Sequence, residues 1–313
     1  MAEPRVVVFG YREVGHACLE VLLERRVNVV AVFTHADDAQ ENAWFPSVAA
    51  LAGRHGIPVH TPEDVNVPAW VGRVRAIAPA LILSFYYRNL IARPILELAR
   101  LGAFNMHGSL LPRYRGRAPV NWAILHGERE TGATLHAMVE RADAGDIVDQ
   151  EAVPIGPEDT IREASARVTE AAARVLARNI EALLQGRAPR RPQDPGLASY
   201  FGRRRPEDGR IDWQRGAGEI FNLVRAVTHP FPGAFTDHGG QPLRIWWARA
   251  HAGGQGESRP GTVLTEQPLR IATGSGCLEV IEWQQAGDPH PRSDPGHGIR
   301  AGIVLGADRQ KGT

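Results

Sequence analysis

Asn105 and His107 stand two positions apart in the apolar run Ala103-Phe104-Asn105-Met106-His107, a spacing that could do chemistry. On an extended segment alternate residues face the same way, so an amide and an imidazole line one face while Phe104 and Met106 turn to a core. Gly108 and the loop Ser109–Ala118 follow, carrying Pro112, Gly116 and the arginines Arg113, Arg115 and Arg117. Further along, Asp143 lies in the turn Ala142-Asp143-Ala144-Gly145-Asp146. If the strand before that turn neighbours Gly102–His107, the carboxylate can reach the imidazole, favour its protonated form and fix its orientation. An amide donor, an imidazole acid/base and an orienting carboxylate suit acyl transfer through a tetrahedral oxyanion. No serine or cysteine nucleophile stands beside them, so direct attack by a substrate nucleophile fits better than an acyl-enzyme. Taken singly, each residue has a plainer reading: a structural Asn, a capping His and a turn Asp.

Other chemistries find less support. Lys311 is the only lysine, which excludes a Schiff-base or phosphate-loop lysine. Gly10 and Gly15 lack the three-glycine dinucleotide pattern, and the second apolar run ends Val32-Phe33-Thr34-His35 without an acidic residue. Gly10 reads as a strand-to-helix turn. His55, His60, His290 and His297 show no ligand spacing with nearby carboxylates, so no metal site is expected. Lys+Arg 36 against Asp+Glu 35 leaves +1, which argues against a bulk nucleic-acid or membrane-surface binder. Cys18 and Cys277 sit far apart in apolar surroundings, which fits a reducing compartment. The run Val6–Phe9 is too short for a signal peptide, and no stretch approaches the length of a membrane span. The expectation is a soluble cytoplasmic protein.

The elements that must position these residues follow from periodicity. With 313 residues, two domains are the prior. Arg5–Phe9, a helix through Val14, Cys18 and Leu22, and Val27–Phe33 read as a βαβ unit of a parallel sheet. The pattern continues through helix Ser47–His55, strand Ile57–His60, a helix over Ala69–Ile77, the buried run Ala80–Phe85, helix Pro94–Arg100, strand Gly102–His107 and a helix from Pro119 to Gly127. Thr134–Val139 and Ile147–Ile155 alternate and read as strands nearer the edge. Thr160 and Glu163 form a capping box ahead of an Ala-rich helix ending near Leu184. The expected division is residues 1–186 as catalytic domain, 187–202 as a Pro/Gly/Arg-rich linker, and 203–313 as a small domain. In the latter a helix over Glu219–Val227 precedes short strands at Leu243–Ala248, Gly261–Leu264, Leu269–Thr273 and Cys277–Trp283, which suggest a small barrel. From Asp288 onward the chain is expected to be loose.

Asn105-x-His107, the loop Ser109-Leu110-Leu111-Pro112-x-Tyr114-Arg115-Gly116 and Asp143 resemble the folate-dependent formyltransferase family, over the whole chain. The resemblance implies an α/β fold: a Rossmann-like parallel-sheet formyltransferase domain followed by a small open β-barrel (OB-like) domain. It implies 10-formyltetrahydrofolate as formyl donor and an amine as acceptor, with His107 as general acid/base, Asn105 stabilising the oxyanion and Asp143 tuning the histidine. It places the folate against Asn89, Leu90, Ile91, Arg117 and the segment Val139, Glu140, Arg141, Ala142 and Asp143. Asp208-Gly209-Arg210-Ile211-Asp212-Trp213 is similar to the second-domain entry of the methionyl-tRNA branch. The region after Phe33 lacks that branch's PDRPAGRG-like segment. Ser84-Phe85-Tyr86-Tyr87-Arg88 and Phe201-Gly202-Arg203-Arg204 are similar instead to the sugar-nucleotide branch. There the nearest pattern is the formyltransferase domain of the bifunctional enzyme for UDP-4-amino-4-deoxy-L-arabinose, in lipid A modification and polymyxin resistance; that enzyme continues into a dehydrogenase domain, which is not expected here. From residue 200 onward, 14 Lys+Arg against 12 Asp+Glu is a weak grip for a tRNA backbone. The implied partner is a nucleotide-sugar substrate, with no nucleic acid and no membrane; Arg113, Arg115, Arg203 and Arg204 are candidates for its diphosphate. A homo-oligomer, a separate dehydrogenase, the tRNA-directed activity and a silent folate or nucleotide-sugar binding module stay open.

Overall fold

Val6–Gly10 (β1) is Val-Val-Val-Phe-Gly with every residue buried, as a central strand covered on both faces requires. The computed structural model describes residues 3–36, 45–254, 256–293 and 299–306. His297 and Lys311 lie outside them, as does much of the stretch after the second strand. The chain divides into two compact units, one of residues 1–119, 130–154 and 165–202, the other of residues 120–129, 155–164 and 203–313.

In the first unit, Arg12–Glu24 (α1) links β1 to Val29–Phe33 (β2). Val48–Arg54 (α2), Val59–His60 (β3), Pro68–Ile77 (α3), Leu81–Phe85 (β4), Arg93–Leu96 (α4) and Ala103–His107 (β5) follow. Helix α4 stops well short of Arg100: beyond it Glu97 N–H bonds Arg93 O and Leu98 N–H bonds Ile95 O, and the helical pattern ends there. After Arg115–Gly116 (β6), Pro119–Leu125 (α5) opens on its proline and, from Val120 onward, is counted with the second unit. Glu130–Ala137 (β7), Ile147–Pro154 (β8), Ile161–Leu184 (α6) and Tyr200–Phe201 (β9) complete the set. The seven-stranded sheet runs β3-β2-β1-β4-β5-β7-β8. The first five strands are parallel; β7 and β8 join antiparallel at one edge, where their alternation places them. Val7, Phe9, Ala31, Phe33 and Ile82 pack one face against Val74 and Ile95. Strand order reverses between β1 and β4, and open α/β sheets bind ligands beyond the carboxyl ends of strands at such a point.

Residues 187–202 are anchored within this unit. Arg191 exchanges backbone bonds with Ile147, and β9 pairs in parallel with β6.

The second unit is built on a five-stranded antiparallel sheet of Ala234–His238 (β10), Gln241–His251 (β11), Val263–Glu266 (β12), Leu269–Ala272 (β13) and Cys277–Gln285 (β14), in the order β10-β11-β14-β13-β12. Ala217–Val227 (α7) lays Ile220 and Val224 inward, and Trp213 Nε1 donates to Thr236 Oγ1 at 3.0 Å. The sequence reading missed β10, three of whose five residues, Thr236, Asp237 and His238, are polar. The stretch from Asp288, expected to be loose, folds back instead: Arg292 bridges to Trp283 and pairs with Asp288 at 2.7 Å. Residues 294–298 lie outside the described residues. Among the described residues no helix is long and apolar enough to cross a membrane.

Candidate active site

Strand β5 delivers Asn105 and His107 to one face, and β7 adds to it by register. Asn105 lies opposite His136, and His107 opposite Thr134. Residues directly opposed across an antiparallel pair project to the same side, so these four side chains form one patch. Asp143 reaches it from the turn after β7, in the left-handed region at φ 56°, which an Asx side chain tolerates best among non-glycines.

His107 is 5 % exposed. Its Nε2 lies 2.8 Å from the Tyr114 carbonyl, which can only accept, so Nε2 carries the proton. Its Nδ1 faces Asp143 Oδ1 at 3.6 Å, a charge pair beyond hydrogen-bond length. His136 Nε2 lies 3.5 Å from the same oxygen, and the other carboxylate oxygen accepts from Gly116 N–H at 2.9 Å. Burial would push the Asp143 carboxyl up. The imidazoles of His107 and His136 and the Gly116 N–H outweigh that and hold it well below the usual carboxylate range. Asn105 Nδ2 completes the cluster, 3.1 Å from His136 Nε2. Asp143 is thus an anion between two rings, and the three residues singled out in the sequence meet around a fourth.

The loop after β5 is pinned from several sides. Thr134 Oγ1 donates to Ser109 O at 2.6 Å, Ser109 Oγ to Arg113 O at 2.7 Å, and Tyr114 N–H to Ser199 Oγ at 2.8 Å. A Cβ at Gly108 would run into the Tyr86 hydroxyl, so a larger residue after His107 requires that ring to shift. Gln193 ties loop to turn. Its Nε2 donates to the carbonyls of Asp143 (2.8 Å) and Gly145 (2.7 Å), and its Oε1 accepts from Arg115 Nε (3.1 Å) and Nη2 (2.7 Å). Tyr200 hydroxyl donates to Ala142 O at 3.2 Å. Arg115 is therefore buried and committed to Gln193, which removes it from the diphosphate candidates. Arg204, in the second unit, lies over the Trp122 ring at 4.9 Å and donates to Asp208 O. Arg203 is exposed.

The residues set against the folate occupy two loops at the sheet. Asn89 Nδ2 donates to Glu63 O at 2.9 Å, Leu90 is exposed, and its carbonyl accepts from Asn66 Nδ2. Ile91 is buried in the core and Arg117 Nη2 donates to Arg88 O at 3.1 Å. Val139 is exposed, Glu140 and Arg141 lead into the turn, and Glu140 lies close enough to Arg93 for their charges to interact. His136 and Gln193 are the residues sequence reasoning missed. His136 has the parity of Thr134 in an alternating strand, and that signal could have found it; Gln193 carries none. Among the described residues no group of three or more His, Cys, Asp or Glu could hold a metal.

A doubly layered α/β unit with an amide, an imidazole and a carboxylate at its strand ends, followed by a small antiparallel unit, defines a group-transfer enzyme of the acyl type. The chain belongs to the formyl transferase family: residues 4–180 match the formyl transferase model and residues 204–291 the formyl transferase C-terminal domain. It is a formyltransferase. Solved structures share the fold. The N-formyltransferase of Helicobacter canadensis, in complex with folinic acid and dTDP-3-aminofucose, has a TM-score of 0.67 at 22% identity over 88% of this chain and 98% of that one. WlaRD, a sugar 3N-formyltransferase with dTDP and 5-N-formyl-THF, has 0.66 at 20%, over 92% and 100%. HypX from Aquifex aeolicus, in complex with tetrahydrofolic acid, has 0.63 at 19%, over 93% of this chain; this chain spans 46% of HypX.

Proposed function

We propose that this chain transfers the formyl group of 10-formyltetrahydrofolate to the amine of a nucleotide-linked 4-amino sugar, with UDP-4-amino-4-deoxy-L-arabinose, a lipid A building block, as the first substrate to test. The observation that carries it is the cluster of Asn105, His107 and Asp143 on one face at the end of β5. The amine nitrogen attacks the formyl carbon, and the new C–N bond leaves a tetrahedral oxyanion to which Asn105 donates. The bond from that carbon to folate N10 then breaks, and the proton lost by the amine passes through His107 to N10. Asp143 keeps its charge in place to stabilise the imidazolium while it holds that proton. Because Tyr114 O occupies His107 Nε2, this relay requires that contact to be exchanged for substrate. The folate lies along Asn89–Ile91, Arg117 and Val139–Asp143.

Beside Tyr114 lies an open groove of about 500 Å³ lined by Leu110, Leu111, Arg113, Leu197 and Phe201, with the Tyr114 and Phe201 rings stacked at 5.1 Å. The folinic acid and dTDP-3-aminofucose of the Helicobacter canadensis complex, and the dTDP and 5-N-formyl-THF present with WlaRD, support the same class. The test is a screen of UDP- and dTDP-linked amino sugars and charged initiator tRNA with 10-formyltetrahydrofolate, read by mass spectrometry for one added formyl. Formylation of the tRNA and of no amino sugar would overturn the proposal.

A further inference from the structure

We infer that His136 is a positioning residue for formyl transfer, fixing which way the carboxamide of Asn105 faces; this rests on the reading of Asn105 as the oxyanion donor. His136 is 2 % exposed and sits directly opposite Asn105 in the β5–β7 register. Its Nδ1 lies 2.9 Å from the carbonyl of Ala137. A carbonyl only accepts, so Nδ1 carries the proton, and in the neutral ring Nε2 is left with a lone pair. Asn105 Nδ2 makes the shorter approach to that nitrogen, at 3.1 Å; Asp143 Oδ1 lies at 3.5 Å and takes a proton from Nε2 only when the ring is charged.

The consequence for Asn105 is directional. One N–H of its amide donates to His136, and the second, on the same planar nitrogen, points away from the ring. Turning the amide over would set Oδ1 against the Nε2 lone pair, two acceptors facing each other. An oxyanion donor accelerates transfer only when it is aimed beforehand at the place where charge develops. An amide released from His136 populates both orientations, and one of them presents an oxygen to the oxyanion. His136 thereby acts on the reaction through Asn105, without touching the formyl group.

Three measurements on the full chain test this. Nitrogen NMR of ¹⁵N-histidine-labelled protein should show His136 protonated on Nδ1 and unprotonated on Nε2, with the Nε2 signal shifting in Asn105→Ala. His136→Leu should lower kcat about 10- to 100-fold with KM for both substrates unchanged, while His136→Gln, whose side-chain oxygen can accept the same N–H, restores most of it. In an Asn105→Ala background, His136→Leu should slow the enzyme no further, because the two residues act as one unit. Turnover is followed with 10-formyltetrahydrofolate and UDP-4-amino-4-deoxy-L-arabinose. A proton on Nε2, a parental kcat in His136→Leu, or additive losses in the double variant would each overturn the inference. Should His136→Leu fail to fold, the NMR state of the parent and the kcat of His136→Gln decide. Parental turnover by Asn105→Ala alone would instead sink the reading of the site, leaving the NMR result to judge the hold of His136 on the amide.

Discussion

Gln193→Ala removes the bond set that joins the Asp143 turn to the loop after β5. Two bonds from Gln193 Nε2, to the carbonyls of Asp143 and Gly145, are neutral and contribute about 1 kcal/mol each. The bidentate bond from the Arg115 guanidinium is charge-assisted and contributes about 1.5–3 kcal/mol. Arg115 is 4 % exposed, so truncation leaves a buried cation short of its partner. Gln193 itself is half-buried, and water entering its place recovers part of the loss. The expected destabilisation is about 2–4 kcal/mol, a drop in Tm of about 5–10 °C for a domain of this size. Asp143 depends on that turn for its left-handed backbone, so kcat should fall about 10-fold or more as the carboxylate loses its place against His107. Gln193→Glu separates the two arms: it still accepts from Arg115 but faces both carbonyls with no donor, so only the Arg115 share of the stability recovers and turnover does not. Urea denaturation with formyl-transfer kinetics on the three proteins reads both. A Gln193→Ala variant with parental Tm and kcat would show residues 187–202 to be a tether only; a lower Tm with parental kcat would show that the Asp143 turn holds without Gln193.

Asp143→Asn keeps the turn and an acceptor for Gly116 N–H but removes the charge. The folded Asp143 carboxyl is depressed, so its stabilising contribution is complete above the ordinary aspartate value near 3.9 and fades as pH falls towards the lower folded one. The parent should exceed Asp143→Asn by about 1–3 kcal/mol at pH 7, and the urea midpoints should begin to draw together only below about pH 4; a gap that does not narrow there would contradict the charge argument. Gly108→Ala should lose about 1–3 kcal/mol through the Tyr86 hydroxyl, and Tyr86→Phe in the same chain should recover part of it, measured by thermal melting. Asn105→Ala and His107→Ala should each reduce kcat at least about 10²-fold while binding of 10-formyltetrahydrofolate, followed by calorimetry, persists.

The parts of this site that were legible in the sequence are those that local geometry fixes. Asn105 and His107 share a face because extended chain alternates, and their place at a strand end follows from the apolar run before them. The short buried runs at Val6–Gly10 and Leu81–Phe85 pointed to a covered sheet because they are too short for helices and are bounded by turn residues. His136 was hidden by a different kind of information. Its alternation was visible, but a single imidazole on a strand is usually a satisfied core residue, and only the pairing of Asn105 with His136 makes it a partner. Register is set by the turn and by burial across two strands, neither of which a single segment displays. Gln193 lies further from view. Its stretch is rich in Pro, Gly and Arg, a composition shared by solvated tethers and by irregular chain held through backbone bonds. The difference rests on Ser199, Tyr200 and Phe201 pairing with residues 114–117, more than 80 positions earlier. The chemistry of the site is therefore written locally, in three residue types at a strand end and a turn, while the bonds that aim those residues are written in contacts between distant segments.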